Sequence, residues 1–275
     1  MALPNEPLDL SKLEQHDFYS LILERKPIPA RMRLDCNITT IQMCIRDSFN
    51  ISPTRENIWL AMKHRDLTRK TRDFLWKCVQ NTYKVGDFWE KIPSYESRGT
   101  CPICNKREDL EHIIMKCKAK ARSTTWHLAK KIWSRCHDSP LPDKLGDILG
   151  CGLTTFRMNN KINKGKNRLY RILISETAYL IWKMRNERRI RDGDSPGKEH
   201  STKETFNRWK HTINKQLTTD RALTNKQRFG KRAINENLVK VTWRNCIANE
   251  DGLPSDWSRL KGALVGILIK CPTGL

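Results

Sequence analysis

The sequence contains no run of eighteen apolar residues, and its longest late apolar stretch, residues 263–269, is too short to cross a bilayer. It does not open with a secretory signal peptide, and most of its ten cysteines are scattered without regular spacing. We therefore expect no membrane insertion and no disulfide framework. The chain is expected to work inside the cell, in the reducing environment of the nucleus or the cytoplasm.

Acidic residues are scarce relative to basic ones. The 275 residues include 30 Asp and Glu against 52 Lys and Arg, which gives a formal net charge of +22. Such an excess favours a polyanionic partner, and nucleic acid, either RNA or DNA, is the partner we expect. The alternative is a solvated basic surface that serves only solubility.

Motifs for nucleotide binding and for catalysis are missing. Gly146, Gly150 and Gly152 are in the wrong order for a dinucleotide fingerprint, and no P-loop is present. We find neither the adjacent Asp pair of a polymerase nor the spaced acidic residues of a two-metal nuclease. The sequence therefore predicts a protein that is not an enzyme.

One compact group of cysteines stands apart from the others. Cys101, Cys104, His112 and Cys117 form a Cys-x2-Cys-x7-His-x4-Cys array, which predicts one tetrahedral zinc site. The alternative, ordinary buried cysteines and a core histidine, fits poorly with the polar residues at 105–109. Since the protein supplies all four ligands, the Zn2+ is expected to be structural. His112 and Cys117 would point about 140° apart on an α-helix, so we expect an unwound or tight turn there.

A family resemblance appears at these residues. The array contains EHI at 111–113, is preceded by RDFLWK at 72–77 and is followed by an aromatic helix. Over residues 54–136 the chain resembles the reverse-transcriptase zinc-binding family, found near the C-terminal ends of non-LTR retrotransposon polyproteins. The segment IWKMRNE at 181–187 resembles the region C-terminal to that module in such elements. The resemblance implies a partner in element RNA or target DNA, and polymerase and nuclease domains that lie upstream of such a module.

The helical periodicity predicts a mainly α fold in two parts. We expect a small zinc-stabilised helical module at 51–137 and a basic helical domain at 166–245. Residues 138–165 are expected to be a linker, 1–50 a loosely ordered segment and 246–275 an irregular tail.

Helix starts are predicted from local polar residues. The segment Ser52-Pro53-Thr54 is typical of a helix start, since a hydroxyl can cap free amides, and a second helix is predicted to begin near Thr68. The longest helix is predicted to run from about 167 to 191, and Ser201 or Thr202 is expected to cap the helix after it.

Two clusters of basic residues are the candidate nucleic-acid contacts. One lies at the C-terminal end of the longest predicted helix, where positive charge also suits the helix dipole, and the other interleaves cations with an aromatic ring. The candidates are Arg185, Arg188, Arg189, Arg191, Lys226, Arg228, Phe229, Lys231 and Arg232. The leading hypothesis is thus a non-catalytic zinc-binding and nucleic-acid-binding protein. The alternative is a protein-interaction scaffold, in which zinc holds helices together and tryptophans form a docking face.

Overall fold

The computed structural model describes residues 11, 13–25, 31–194, 198–248, 252–254, 257 and 264–266. Within these residues the chain is mainly α-helical, as the sequence predicts, with strands confined to two short antiparallel hairpins. None of the described helices is both long enough and apolar enough to cross a membrane.

The helices and strands follow one another in a simple order, interrupted by short 3-10 and π-helical turns. The helices are α1 (Gln15–Arg25), α2 (Met32–Phe49), α3 (Arg55–Met62), α4 (Arg69–Val79), α5 (Asp87–Glu90), α6 (Lys120–Cys136), α7 (Leu145–Leu149), α8 (Lys164–Asn186), α9 (Thr202–Ala222), α10 (Lys226–Phe229) and α11 (Glu236–Trp243). The strands are β1 (Thr100–Cys101), β2 (Lys106–Arg107), β3 (Arg157–Met158) and β4 (Lys161–Ile162). The 3-10 turns are Glu96–Gly99, Cys151–Leu153 and Gly230–Arg232, and the π turns are His112–Lys116 and Glu187–Arg191.

The predicted helix starts are confirmed. Thr54 accepts a hydrogen bond from the backbone N–H of Asn57, whose own side chain completes a capping box at the start of α3. Thr68 accepts from the N–H of Thr71, and Ser201 accepts from that of Glu204. Each of these bonds satisfies a backbone donor that the first turn of a helix leaves without a partner.

Helix α8 is the central element of the fold. It packs against α4, α6, α7, α9 and α11, and most of its residues are buried. Gly165 allows the close approach of α11, since a Cβ at that position would lie 2.5 Å from the carbonyl oxygen of Val241. Inside this packing, buried Arg168 forms ion pairs with Asp66 and Asp220, and so ties α8 to α9 and to the turn before α4.

Two expectations about order are wrong. Residues 1–50 were expected to be loosely ordered, yet α2 buries Leu34, Ile38, Ile41 and Ile45 at helical spacing. The expected linker at 138–165 contains α7, which packs against α2 with its residues Gly146 to Leu149 buried. Both segments contribute side chains to the core.

The expected boundary between two domains does not divide the core. Buried side chains from α6 and α8 belong to one hydrophobic cluster, in which the rings of Trp133 and Tyr170 lie 5.5 Å apart. In the expected tail, Ile247 forms an isolated β-bridge with Val265, and both side chains are buried. Most of the remaining tail lies outside the described residues.

Candidate metal centre

The first two candidate ligands lie on a tight hairpin. Strands β1 and β2 pair antiparallel, with Cys101 opposite Lys106, and the N–H of Asn105 donates to the carbonyl of Cys101 at 2.8 Å. Asn105 has a φ of 51°, a left-handed conformation that asparagine tolerates better than most residues. This hairpin places Cys101 and Cys104 on one side of the centre.

The other two candidate ligands lie on a widened helical turn. The backbone N–H of His112 donates to the Asp109 carboxylate at 2.7 Å, which starts the turn. The chain then forms a π turn, in which the N–H of Cys117 donates to the carbonyl of His112 at 2.6 Å. The predicted departure from the α-helix is confirmed, but the turn is wider and not tighter. The wide turn brings residues five apart onto one side, which an α-helix cannot do.

The four side chains meet at one point. The Sγ of Cys117 lies 3.8 Å from the Sγ of Cys101 and 3.8 Å from that of Cys104. The ligand atoms of all four residues, including His112, lie within 4.8 Å of one another. The Nε2 of His112 is buried and has no hydrogen-bond partner in the part of the chain that the structure describes. A buried nitrogen of this kind needs a partner, and the four residues together could hold a metal ion that supplies it.

Hydrogen bonds to one of the sulfurs, that of Cys101, favour its ionised form. The Cys117 side chain lowers the pKa of Cys101 by hydrogen bonding, and the backbone N–H groups of Cys104 and Ile103 act in the same direction. The same bond between the two thiols raises the pKa of Cys117, because these close groups share a proton. The N–H of Lys118 donates to the Sγ of Cys104 at 3.1 Å. Such outer contacts orient metal ligands in proteins.

A buried carboxylate lies directly behind the hairpin. Glu108 follows β2 and is only 1 % exposed. Arg185 donates to both of its oxygens, one of them from Nε at 3.2 Å, and the Nε of Arg189 lies 3.2 Å from Oε2. An Nη of Arg188 lies 3.8 Å from Oε1. These ion pairs join the metal centre to the end of α8.

Asp194 completes this arginine network on the far side. It accepts from Arg188 at 2.5 Å and from Arg189 at 2.7 Å. Four arginines at this helix end were predicted to contact nucleic acid. Three of them, Arg185, Arg188 and Arg189, instead point inward to the carboxylates of this network. Arg191 differs: its side chain is 64 % exposed and contacts Asp192 and Glu187 at the surface.

The second predicted basic cluster is on the surface. Lys226, Arg228, Lys231 and Arg232 are exposed on α10 and the turn after it, and Asn225 caps this short helix. No carboxylate of the described residues lies within ion-pair distance of these four cations. The guanidinium of Arg228 lies 5.4 Å from the centre of the half-buried Phe229 ring.

Glu108 was not among the functional residues predicted from the sequence. The available signal was the spacing of Arg185, Arg188 and Arg189, which places three arginines on one helix face and calls for a buried acid opposite them. Comparisons with protein-family models, with curated proteins and with solved structures found no match to this chain.

Proposed function

We propose that this chain is a zinc-binding and nucleic-acid-binding protein without catalytic activity of its own. In this proposal it corresponds to the C-terminal portion of a retrotransposon polyprotein, as the motif resemblance suggests. The observation that carries the proposal is the convergence on one point of three sulfurs and one buried imidazole nitrogen that has no hydrogen-bond partner among the described residues.

The separation of the sulfurs supports zinc as the metal. Zinc–thiolate bonds of about 2.3 Å in a tetrahedron require sulfurs roughly 3.8 Å apart. Both measured distances from the Cys117 sulfur are 3.8 Å. Three thiolates and one imidazole are also a common donor set of structural zinc sites, and they leave no coordination position for a substrate. The proposed zinc therefore holds the hairpin to the π turn and takes no part in a reaction.

The charge of the chain supports nucleic acid as the partner. The net charge is +22, and the four exposed cations of segment 226–232 have no carboxylate to neutralise them among the described residues. Cations of this kind bind phosphates with the release of counterions, and an aromatic ring among them adds a stacking surface. In this segment Phe229 supplies that aromatic ring.

The absence of catalysis is also part of the proposal. Of the four carboxylates buried among the described residues, Glu108, Asp66 and Asp220 are engaged by arginines, which leaves them poorly suited to hold catalytic magnesium. The fourth, Asp147, accepts a hydrogen bond from Ser48 at 2.9 Å. We expect the purified chain to neither extend a primer nor cleave RNA with magnesium or manganese. Metal-dependent turnover that copurifies with the chain through stringent steps would contradict this expectation.

The second candidate function is a protein-interaction scaffold, and helix α1 is the observation that favours it. This helix exposes Phe18 (41 %), Tyr19 (63 %), Ile22 (50 %) and Leu23 (45 %). Exposed apolar side chains in one group are typical of contact surfaces between proteins. The scaffold hypothesis predicts that removal of this apolar group abolishes partner binding and leaves nucleic-acid binding intact.

A binding titration decides between the two functions. Fluorescence anisotropy with labelled oligouridine and oligothymidine of about 12 nucleotides should show binding at low salt. The logarithm of the affinity should fall linearly with the logarithm of salt concentration, by roughly 0.7 for each phosphate contact. If neither oligonucleotide binds at about 50 mM salt, the nucleic-acid proposal fails and the scaffold becomes the better hypothesis.

A further inference from the structure

A cluster of aromatic rings and cations precedes the metal centre in the chain. We call residues 84–98 the aromatic surface. Phe88 is 37 % exposed and Tyr95 is 45 % exposed, with the half-buried ring of Trp89 between them. The ring centres of Trp89 and Tyr95 are 6.1 Å apart. The indole N–H of Trp89 donates to the carbonyl of Lys84 at 2.8 Å, which fixes its ring.

Cations lie against these rings. The guanidinium of Arg98 lies 5.1 Å from the ring centre of Trp89 and 4.7 Å from that of Tyr95. The ammonium of Lys84 lies 5.3 Å from the ring centre of Phe88. The surface thus presents flat rings and positive charge side by side, which are the two features that bind bases and phosphates.

A polar cleft opens beside Phe88. It has a volume of about 420 Å³, and its lining includes Lys84, Lys91, Arg33, Asp87 and Tyr83. Small-molecule sites are typically a few hundred Å³ in size. The cleft is therefore large enough for one nucleotide.

The charge that remains available on the aromatic surface is positive. Its acids are Asp87, Glu90 and Glu96; Asp87 pairs with Arg33 and Arg107, and Glu90 pairs with Arg107. Lys84, Lys91 and Arg98 have no carboxylate within ion-pair distance among the described residues. With Glu96 counted against these three cations, the surface still attracts a polyanion.

The aromatic surface is attached to the metal centre. The carbonyl of Arg98 accepts a hydrogen bond from Arg189 at 2.7 Å, and the carbonyl of Gly99 accepts from the N–H of Glu108 at 2.8 Å. A side chain at Gly99 would not fit, since a Cβ there would lie 2.9 Å from the carbonyl oxygen of Gly86. Gly99 is followed in the chain by Thr100 and then by the candidate ligand Cys101. The position of the rings therefore depends on the fold around the metal.

We propose that the aromatic surface binds single-stranded nucleic acid, with bases stacked on Phe88 and Tyr95 and phosphates held by Lys84 and Lys91. This inference rests on the proposed function and adds a binding site outside segment 226–232. A protein partner is the competing occupant. Lysines are depleted in the cores of protein interfaces, whereas here they flank the exposed rings and the cleft, so the observations favour nucleic acid.

The proposal is tested with two double variants of the full chain. Phe88→Ala/Tyr95→Ala removes the exposed rings, and Lys84→Ala/Lys91→Ala removes the flanking charge. Each lost stack should weaken the binding of labelled oligouridine or oligothymidine by about 5- to 140-fold, so the ring variant, which loses two, should bind at least about 25-fold more weakly than the parent. Its salt slope should be unchanged. The lysine variant should have a slope shallower by about 1.4, because two phosphate contacts are lost.

The controls separate the failure of this site from the failure of the proposed function. If the parent chain binds neither oligonucleotide, the proposed function itself is wrong. If the parent binds and both variants bind with its affinity and its salt slope, the aromatic surface is not the site, and protein docking becomes the better use for it. Circular dichroism checks that each variant is folded. If the ring variant is unfolded, the lysine variant decides by itself, and a salt slope equal to that of the parent overturns the proposal.

Discussion

Two basic regions that look alike in the sequence differ in their surroundings. The arginines at 185, 188 and 189 are almost fully buried, and they converge on Glu108 and Asp194 behind the metal centre. The cations of segment 226–232 are exposed and have no acid beside them in the described part of the chain. Density of positive charge alone does not distinguish an internal ion-pair network from a surface that can bind phosphate.

The difference lies in desolvation. A buried guanidinium needs a carboxylate, since an unpaired charge in the interior costs several kcal/mol. An exposed lysine needs no partner, and it keeps its charge available for a polyanion at little cost. The first region therefore supports the fold, and the second is free to bind. Metal removal and substitutions in each region test this division.

Removal of the metal should have the largest effect. The buried arginines lie directly behind the metal centre, so chelation should lower helicity and thermal stability together. Metal binding contributes on the order of 10 kcal/mol to folding in small zinc peptides. Circular dichroism during titration with a chelator measures the loss, and added zinc should restore the signal. An unchanged melting temperature after complete removal would show that the centre does not support the fold.

Glu108→Gln should have the next largest effect. It leaves Arg185 without a carboxylate and leaves Arg188 and Arg189 with Asp194 alone. We therefore expect a loss of about 3–5 kcal/mol in the free energy of unfolding. Glu111→Gln is the matched control, because Glu111 pairs with Lys116 at the exposed surface and its loss should matter far less. Denaturant unfolding measures both. Equal losses in the free energy of unfolding would show that the buried network stabilises the fold no more than an exposed ion pair does.

Substitutions in the exposed segment 226–232 should change nucleic-acid binding and leave the stability of the fold nearly unchanged. Arg228→Ala/Lys231→Ala/Arg232→Ala should change the free energy of unfolding by no more than about 0.5 kcal/mol. The salt slope of oligonucleotide binding should become shallower by about two, since three phosphate contacts are lost. A triple variant that binds with the affinity and the slope of the parent would identify segment 226–232 as solvated surface.

Phe229→Ala should affect binding without affecting its salt dependence. Loss of one stacked base costs about 1–3 kcal/mol of binding free energy. The slope should stay close to that of the parent, because no phosphate contact is removed. Anisotropy titrations at several salt concentrations distinguish this substitution from the triple variant. A shallower slope with little loss of affinity would contradict a stacking role for this ring.

Local patterns predicted much of the fold and the candidate centre. The four candidate ligands lie within seventeen residues, so their spacing alone brings them together. The caps at Thr54, Thr68 and Ser201 each act on a donor three residues away, so these helix starts could be predicted from the local sequence. The predicted departure from the α-helix between His112 and Cys117 came from helix geometry in the same way.

Contacts between distant residues were not predicted. Glu108 and Arg185 are 77 residues apart. The arginine spacing indicates that an acid lies opposite, but nothing near these arginines indicates which one. Helix α7 has five residues, which is too short to show a periodicity, so its burial against α2 was missed. The stripe of Leu34, Ile38, Ile41 and Ile45 was visible in the sequence, but the prolines and charges around it favoured a loose segment.

Zinc stoichiometry tests the central claim most directly. Protein purified in reducing buffer without chelator should contain about one zinc per chain by elemental analysis. Cys104→Ala should lose the metal, whereas Cys36→Ala, which changes an exposed cysteine far from the centre in the sequence, should keep it. A parent protein that contains no zinc, or a Cys104→Ala variant that binds zinc as tightly as the parent, would contradict the assignment of Cys101, Cys104, His112 and Cys117 as one zinc site.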